Sequence, residues 1–586
     1  MKDYKREIAA RIAALGLIKS AGLGDDDIYS LIEAPKDTEL GDYAFPCFRL
    51  AKALGKPPAA IAAEAAAALS GNEMGVTTGA SLFCSVQANG PYLNFFLDRT
   101  EYGKDVVAEV LALGPGYGSS KLGEGRRVLV EYSSPNIAKP FHIGHIRSTV
   151  IGSAIGNILA FLGYDVVRLN HLGDYGTQFG KLIVAYRRFG NKEDVEASPI
   201  QTLLKYYVEF HRQAESDPSL EDEARAAFAA LEQGEEQERA LWEWFREESL
   251  KEFTVVYDMM GIKFDSFAGE SFYSDKMERF TDELEEKGLL ETSDGAKIVD
   301  LEPYGLGKAL IKKSDGSTLY ITRDVAAAVY RKEYYNFYKN IYVVASQQDL
   351  HFKQWIKILE LMGYEWAESC VHVPFGLVRL EDGAMSTRTG NVVFLEDVLN
   401  QAVSKTMEII EEKGVVTDDV DETARQIGIG AVVFQELFNN RIKDYVFDWV
   451  KVLSFEGETG PYVQYSHARA ASVLRKALDM GLDVSPEAML SAGDFSAVAS
   501  GPAFALAKLI GTLPGAVAEA GEKYEPSILT RHVTDIAQAF SVFYREEPIL
   551  ADTGDARLVK LALTAAVKQA ITNGLALLGI SAPERM

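Results

Sequence analysis

Two histidines three positions apart, His142 and His145, are the side chains of this chain best suited to binding phosphates. They follow an apolar run typical of a strand buried on both faces of a parallel sheet: Val128, Leu129, Val130 and Tyr132. Helical spacing begins directly after them, at Ile146, Val150, Ala154, Ile158 and Leu162. The turn is therefore predicted at a helix N-terminus beyond a strand, where unpaired backbone N–H groups and the helix dipole favour an anion. The imidazoles add donors, and Gly144 lets a flat base approach the backbone.

A second polar motif follows a predicted strand from Val371 to Leu380 and the turn pair Asp382-Gly383. It reads Met385-Ser386-Thr387-Arg388, and alone it indicates no more than a polar loop. Late in a domain that carries His-x-Gly-His, it suits a clamp on a triphosphate. The alternative for the histidine pair is a metal site or simple backbone hydrogen bonding, but its place between strand and helix favours phosphate.

Length and composition limit the possibilities. A chain of 586 residues is too long for one core and should form three to four domains. Of the net charge of −25, a net −9 lies in one helical stretch, from Glu209 to Glu252 with 14 Asp+Glu against 5 Lys+Arg, and the total does not exclude a local basic groove. Three scattered cysteines, without ligand spacing, argue against zinc and disulfides and suit a cytoplasmic protein: Cys47, Cys84 and Cys370. The N-terminus lacks a signal-peptide pattern, and prolines interrupt the most apolar window, 497–518, so no membrane span is expected.

Four regions separate along the chain. Residues 1–105 have the pattern of an α+β unit, and residues 106–400 that of an α/β domain with strands at 165–170 and 341–345 and a helical insertion at about 190–260. Residues 401–459 and 460–586 are helical in period.

Several sequence blocks resemble, in order, those of the arginyl-tRNA synthetases, a class I aminoacyl-tRNA synthetase family. They are E-Y-S-S-P-N-I-A-K-P-F-H-I-G-H-I-R-S from Glu131, L-G-D-Y-G-T-Q-F-G from Leu172, L-Y-I-T-R-D from Leu319, V-A-S-Q-Q-D-L-H-F from Val344 and M-S-T-R-T-G from Met385. Blocks 36–44 and 90–96 are similar to the family's N-terminal domain, and blocks 460–469 and 578–586 to its C-terminal domain. One departure stands out: Ala384 occupies the place of the first lysine of the class I K-M-S-K-S motif.

The resemblance implies a fold and an activity. The fold is α/β: a Rossmann-type parallel-sheet catalytic domain with a helical insertion, an N-terminal α+β tRNA-contacting domain, a stem-contacting helical connection and an all-α anticodon-binding domain. The activity is ATP-dependent formation of arginyl-adenylate from L-arginine and transfer to the terminal ribose of tRNA(Arg), with Mg²⁺ accompanying ATP. We expect a monomer.

A guanidinium pocket needs carboxylates for forked hydrogen bonds and an aromatic face. Glu131, Asp324 and Tyr320 can supply these, and the resemblance implies the same three. It also places the substrate's ammonium and carboxylate groups against four residues: Ser134, Asn136, His145 and Gln348.

The expected ATP site combines both motifs. Its residues are Pro135, Phe141, His142, Gly144, His145, Met385, Ser386, Thr387 and Arg388. The expected catalytic residues are His142, His145, Lys139 and Arg388, with Lys139 compensating for the lysine absent at position 384.

Two other functions fit parts of the pattern. One is another nucleotidyltransferase with the same histidine turn, for which the flanking domains would be surplus. The other is a synthetase-like RNA-binding or regulatory protein. A basic surface on the C-terminal helices is expected for RNA, with Arg469, Arg475 and Arg545 as candidates.

Overall fold

A computed structural model describes residues 4–19, 22–35, 40–70, 83–313, 320–380, 393–414 and 417–586. The chain divides into two compact units. The first comprises Met1–Tyr117, Ala470–Thr512 and Gln538–Ala570. The second comprises Gly118–Arg469, Leu513–Ala537 and Ile571–Met586. The four-domain division remains a prediction.

An antiparallel sheet and six helices occupy the described residues up to 117. The helices are α1 (Tyr4–Ala14), α2 (Gly16–Lys19), α3 (Asp25–Leu31), α4 (Phe48–Leu54), α5 (Pro58–Ser70) and α6 (Arg99–Leu113). The strands are β1 (Tyr43–Pro46), β2 (Phe83–Asn89) and β3 (Tyr92–Leu97), in the order β1-β3-β2. The predicted amphipathic first helix is confirmed, because Ile8 and Ile12 are fully buried on one face.

The middle of the described chain contains three sheets and ten helices. The strands are β4 (Arg127–Glu131), β5 (Asp165–Leu169), β6 (Glu291–Ser293), β7 (Ala296–Asp300), β8 (Lys308–Lys312), β9 (Lys339–Ala345), β10 (Cys370–Phe375) and β11 (Val378–Leu380). The helices are α7 (Ile146–Phe161), α8 (Gln178–Phe189), α9 (Lys192–Ala197), α10 (Pro199–Ala214), α11 (Ser219–Glu232), α12 (Glu236–Met259), α13 (Met277–Glu286), α14 (Tyr320–Tyr335), α15 (Asp349–Leu361) and α16 (Leu395–Lys413). Helices α9 to α12 confirm the predicted insertion.

The principal sheet is parallel, with the order β10-β9-β4-β5. The chain passes from β4 outward to β5 and returns on the other side of β4 as β9. Such a reversal opens a crevice at the carboxyl ends of the two central strands, where α/β sheets bind ligands. The Rossmann-type sheet expected from the sequence is confirmed.

The single strand predicted at Val371–Leu380 is wrong, because the structure has two strands there. After β10 the chain leaves the sheet at Gly376, whose N–H donates to the Arg441 carbonyl at 2.8 Å. A Cβ atom at Gly376 would lie 2.6 Å from the Ile442 carbonyl oxygen, so this close approach requires glycine. Strand β11 then pairs in parallel with the short strand Tyr445–Phe447.

The remaining described residues are mostly helical, as predicted. The elements are α17 (Val420–Phe438), β12 (Tyr445–Phe447), α18 (Trp449–Val452), α19 (Gly460–Asp479), α20 (Pro486–Leu490), α21 (Gly501–Lys523), α22 (Pro526–Glu546) and α23 (Gly554–Leu577). The predicted stripes on α22 and α23 are buried at Ile536, Phe540, Val567 and Ile571.

Helix α21 continues through Pro514. By length and composition alone this helix would suffice to cross a membrane, a test that core helices of soluble proteins also pass. Its residues Ala503, Leu506, Ala507 and Ile510 are fully buried, which is the pattern of a core helix.

Candidate functional site

The site is built at the carboxyl ends of β4 and β9, the two central strands between which the chain reverses direction. Glu131 is the last residue of β4, and the segment from Tyr132 to His145 continues from it to the start of α7. Ser346–Gln348 form a 3-10 turn directly after β9. The carboxyl-terminal edge of this sheet therefore carries two of the sequence blocks that are expected to bind the substrates.

The segment after β4 is held in an unusual backbone conformation. Ser133, Ser134 and Ala138 have φ angles of 69°, 48° and 56°, in the left-handed region that non-glycine residues rarely adopt. Each such residue costs about 1 to 2 kcal/mol, so the surroundings must hold it in place. The Ser148 hydroxyl accepts from the Ser133 N–H at 2.9 Å, and the Ser249 hydroxyl accepts from the Ala138 N–H at 3.0 Å.

This segment also runs close to Gly173 of the L-G-D-Y block. Asn136 and Gly173 form a parallel bridge, and the Ile137 N–H donates to the Gly173 carbonyl at 3.2 Å. A Cβ atom on residue 173 would lie 2.2 Å from Asn136 Oδ1. Glycine at this position is therefore needed to set the exposed Asn136 amide beside the crevice.

The two histidine rings lie side by side at a 3-10 turn, Ile143–His145, with ring centroids 4.1 Å apart and ring planes tilted by 41°. His142 Nδ1 accepts from the Gly144 N–H at 3.1 Å. Because His142 Nδ1 accepts, the proton of its neutral ring is on Nε2. His145 Nδ1 lies near both the His142 N–H at 3.2 Å and the His142 carbonyl at 3.3 Å, so its contacts fit either tautomer. Burial lowers the pKa of His142 and lowers that of His145 to about 3, with the neighbouring His142 lowering the latter further. Near pH 7 the turn thus offers two uncharged imidazoles, and His142 has its N–H donor at Nε2.

The backbone of this turn corrects one part of the sequence interpretation. The prediction assumed unpaired N–H groups, but the Ile143 N–H donates to the Val393 carbonyl at 3.2 Å and the His145 N–H to the His142 carbonyl at 2.8 Å. The N–H groups of His142 and Gly144 bond to the imidazoles, as described above. An anion at this turn would therefore meet imidazole N–H donors and the dipole of α7, since these four backbone N–H groups are already bonded.

The turn is bonded to the chain that follows the second motif. His142 and Phe394 form an antiparallel bridge, and the Leu395 N–H donates to the Phe141 carbonyl at 2.9 Å. The Phe141 ring is buried against the His145 ring at 5.2 Å and against Phe253 at 5.3 Å. Phe141 packs behind the His145 ring and therefore fixes the orientation of that ring.

Pro135 and Lys139 complete the segment. Pro135 is buried, and its carbonyl accepts from the Gly173 N–H at 3.0 Å. The Lys139 side chain is half-buried, and burial lowers its pKa, an effect that the Glu270 carboxylate partly offsets. A lysine in this environment carries a positive charge that is less well hydrated than on an open surface.

Glu131 is already paired in this structure. Its Oε2 lies 2.5 Å from Nη1 of Arg331, and both side chains are almost fully buried. The same guanidinium lies 3.3 Å from His171 Nδ1 and 5.6 Å from the centre of the Tyr342 ring. A permanent cation thus neutralises this carboxylate.

Asp324 differs from Glu131 in both exposure and partner. Its side chain is 31% exposed, and Oδ2 lies 2.5 Å from Nε2 of His351. Next to it on α14, Arg323 forms a 2.7 Å ion pair with Glu270 and stacks over the Tyr175 ring at 5.0 Å.

Sequence reasoning did not single out Arg331, His351, Arg323 or Glu270. Arg331 could have been found from the sequence, because it stands seven residues after Asp324 on α14, and residues at this spacing lie on the same face of a helix. The partnership of Glu131 with Arg331 joins residues 200 positions apart in the chain and had no local signal.

Other predicted residues are placed as follows. Ser134 is half-buried, and Gln348 is exposed at the N-terminus of α15. The Tyr320 side chain and the segment containing Met385, Ser386, Thr387 and Arg388 lie outside the described residues. Within the described ranges, no group of three or more His, Cys, Asp or Glu side chains is arranged to hold a metal ion.

Three family descriptions match consecutive parts of the chain. Residues 2–97 match "Arginyl tRNA synthetase N terminal domain", residues 106–449 match "tRNA synthetases class I (R), catalytic domain", and residues 463–586 match "DALR anticodon binding domain".

Relatives and solved structures are similar to the chain over its full length. The arginine–tRNA ligase of Halothermothrix orenii is 54% identical and that of Clostridioides difficile 53% identical, each covering all of both chains. The solved arginyl-tRNA synthetase of Thermus thermophilus is 26% identical, with a TM-score of 0.81 over 99% of this chain and all of that one.

Proposed function

The chain belongs to the arginyl-tRNA synthetase family, and we infer from this membership that it is an arginine–tRNA ligase. It activates L-arginine with ATP and transfers the arginyl group to the 3′-terminal ribose of tRNA(Arg). The structural observation that carries this function is the pair of adjacent, neutral imidazoles at the start of α7, at the reversal point of the parallel sheet.

We propose that His142 and His145 bind the triphosphate through their imidazole N–H groups. Neutral imidazoles donate to phosphate oxygens without adding a charge that would hold pyrophosphate after it forms. Gly144, Pro135 and Phe141 shape the nucleotide side of the turn. Met385, Ser386, Thr387 and Arg388, of the second motif, are proposed to bind the phosphates as well.

Lys139 is proposed as the cation that meets the charge building on the leaving pyrophosphate. Its lowered pKa reflects weaker hydration, and a poorly hydrated cation interacts more strongly with a phosphate. Arg388 supplies the second cation from the opposite motif. Together they replace the lysine that this family member lacks at position 384.

Asp324 is proposed to bind the arginine guanidinium, with the Tyr320 ring as its aromatic face. Glu131 contributes negative potential at the same sheet edge while remaining paired with Arg331. Ser134, Asn136, His145 and Gln348 are proposed to bind the ammonium and carboxylate groups.

The first step needs no protein nucleophile, because the arginine carboxylate is already ionised at neutral pH. A carboxylate oxygen attacks the α-phosphorus, the bond to the bridging oxygen of the β-phosphate breaks, and pyrophosphate leaves. In the second step the tRNA ribose hydroxyl attacks the activated carbonyl and AMP leaves. The rate therefore depends on positioning and charge stabilisation.

The donors at the histidine turn are N–H groups, which fit phosphate oxygens and do not coordinate metal. We propose that Mg²⁺ is bound chiefly through the triphosphate oxygens, as is usual for this ion, and neutralises part of their charge. The N-terminal region, residues 401–459 and residues 460–586 are proposed to contact tRNA(Arg) at its body, its stem and its anticodon. We propose a cytoplasmic monomer.

The deciding experiment is arginine-dependent exchange of pyrophosphate into ATP, with and without tRNA(Arg). Citrulline is the matched control, because it has the shape of arginine without the charge. We expect exchange with arginine and none with citrulline, since a carboxylate pocket leaves a neutral group poorly paired. Exchange with a different small acid would identify another nucleotidyltransferase. Binding of tRNA without any exchange would identify an RNA-binding or regulatory protein.

RNA binding is tested separately by the salt dependence of tRNA affinity. Arg545 is exposed on α22, where it pairs with its neighbour Glu546. If it contacts a phosphate, Arg545→Ala should lower the slope of log Kd against log salt by about one. An unchanged slope would remove Arg545 from the proposed RNA surface.

A further inference from the structure

A fully buried arginine lies on the first turn of α7, two residues beyond His145. Nη1 of Arg147 donates to two backbone carbonyls, those of Gly376 at 3.0 Å and Lys443 at 2.7 Å. Gly376 precedes β11 by two residues, and Lys443 precedes β12 by two residues. One guanidinium group therefore bonds the start of α7 to both segments that enter the small parallel sheet.

Arg147 has an acidic partner that is equally buried. Its Nε lies 3.5 Å from Oε2 of Glu436 on α17, and neither side chain is exposed. The Tyr445 hydroxyl of β12 donates to the other oxygen of Glu436, and the Tyr445 ring centre lies 5.4 Å from Arg147 Cζ. Burial raises the pKa of Glu436 to about 7, although Arg147 and Tyr445 act in the opposite direction.

This buried pair is poorly suited to a purely stabilising role. Among the described residues, Arg147 Nε and Nη2 and Glu436 Oε2 have no hydrogen-bond partner. Burying two charges is costly, and apolar residues of similar volume are often at least as stable as a buried ion pair. The role of the pair is better explained by the chain segments that the Arg147 guanidinium joins.

The two chain ends that border the second ATP motif are both bonded to the histidine turn or its helix. Strand β11 ends at Leu380, immediately before the segment 381–392, and β11 pairs with β12 from Val378↔Tyr445 to Leu380↔Phe447. Beyond that segment, the Val393 carbonyl accepts from the Ile143 N–H. Arg147 therefore holds the chain that leads into the segment 381–392, and the histidine turn holds the chain that follows that segment.

We propose that Arg147, supported by Glu436 and Tyr445, is a positioning residue that holds the start of β11, the strand that leads into the second ATP motif, in place relative to His142 and His145 during adenylate formation. The inference rests on the proposed function. The guanidinium bonds both carbonyls through Nη1 and places its charge beside Glu436, and a lysine ammonium on a flexible stem does not reproduce that arrangement. Because β11 leads into the second ATP motif, loss of the guanidinium should affect ATP and the chemical rate more than arginine binding.

The first test is Arg147→Lys in the full-length protein, assayed by arginine-dependent pyrophosphate exchange. We expect kcat to fall about tenfold or more, because small misplacements of reacting groups cost up to about a hundredfold. The KM for ATP should rise and the KM for arginine should stay within about twofold of wild type. Arg147→Met should be more severe, so that lysine gives partial rescue.

Tyr445→Phe is a milder variant that keeps the inference testable if changes at Arg147 prevent folding. It removes one hydroxyl from Glu436 and should lower kcat/KM for ATP about threefold to tenfold. Combined with Arg147→Lys it should give less than the product of the two effects, because both act through one network. The matched control is Glu547→Gln, which removes a 2.6 Å partner of the buried Lys560 in the first unit and should leave all kinetic constants unchanged.

Two outcomes would overturn the inference: wild-type ATP constants in both Arg147→Lys and Tyr445→Phe, or equal losses toward ATP and arginine. The proposed function fails differently, as absence of arginine-dependent exchange by the wild-type enzyme. Binding of a non-hydrolysable ATP analogue separates the two, since Arg147→Lys should weaken it whatever the amino-acid substrate is. Unchanged analogue affinity would also count against Arg147.

Discussion

The two carboxylates expected to recognise arginine lie in contrasting surroundings. Glu131 ends the central strand, is almost completely buried and pairs with Arg331, a cation that cannot lose its charge. Asp324 lies on α14, is about one-third exposed and pairs with the imidazole of His351. Glu131 therefore already has a charged partner within the protein, whereas Asp324 is accessible to a ligand.

The difference shows that residue type and block position do not by themselves identify a substrate ligand. A carboxylate paired with a buried permanent cation contributes mainly to the integrity of the site. A half-exposed carboxylate whose partner is an imidazole can exchange that partner for a substrate guanidinium. The predictions below separate these two kinds of effect.

The largest expected effect on catalysis is that of Asp324→Ala. Removing a carboxylate from a guanidinium partnership costs about 3 to 5 kcal/mol, which is hundreds to thousands of times in arginine kcat/KM. Because Asp324 is partly exposed, Tm should change little. Pyrophosphate exchange at varied arginine concentration and a thermal melt check both parts. Normal arginine kinetics in this variant would show that Asp324 is not part of the arginine pocket and that the contrast drawn with Glu131 is wrong.

Glu131→Gln should act mainly on stability, because it leaves the Arg331 guanidinium buried without its carboxylate. The expected loss is about 3 to 5 kcal/mol in the free energy of unfolding. The double variant Glu131→Gln, Arg331→Met removes both charges and should recover most of the Tm. If the double variant melts normally and still shows a greatly raised arginine KM, then Glu131 binds the substrate directly.

Lys139→Ala tests the cation that is proposed to stabilise the leaving pyrophosphate. Loss of one preorganised donor at a developing charge costs about 2.7 to 4 kcal/mol, or about a hundredfold or more in kcat for adenylate formation. Tm should hardly move, since Lys139 is only half-buried. Lysine introduced at position 384 should restore part of the rate. Wild-type pyrophosphate exchange in Lys139→Ala would leave Arg388 as the principal cation.

The smallest effect concerns the pH dependence of stability at His145. Its folded pKa of about 3 lies below its ordinary value of 6.5, so the folded state favours the neutral ring. Its contribution is therefore complete above about pH 6.5 and is lost as the pH falls toward 3. Between pH 7.5 and 5.5, wild type should lose about 1 kcal/mol more stability than His145→Gln. Parallel acid sensitivity of the two proteins, followed by Tm, would contradict a neutral buried imidazole.

Local patterns predicted the elements well where one periodicity dominated. The strand from Arg127, the helix from Ile146 and the stripes on α22 and α23 depend on spacing along one segment. The strand predicted at Val371–Leu380 failed, because its division at Gly376 is imposed by the distant residues Arg441 and Ile442.

The sequence by itself determined the family, the parallel sheet and the residues that carry the chemistry, because these depend on residue types at short spacings. Only the tertiary structure decided which of those residues are free to act. It used the backbone N–H groups of the histidine turn internally, fixed the His142 ring as its Nε2–H tautomer and paired Glu131 with Arg331. Hydrogen bonds and ion pairs between residues hundreds of positions apart follow from how strands and helices pack, and packing leaves no trace in local spacing.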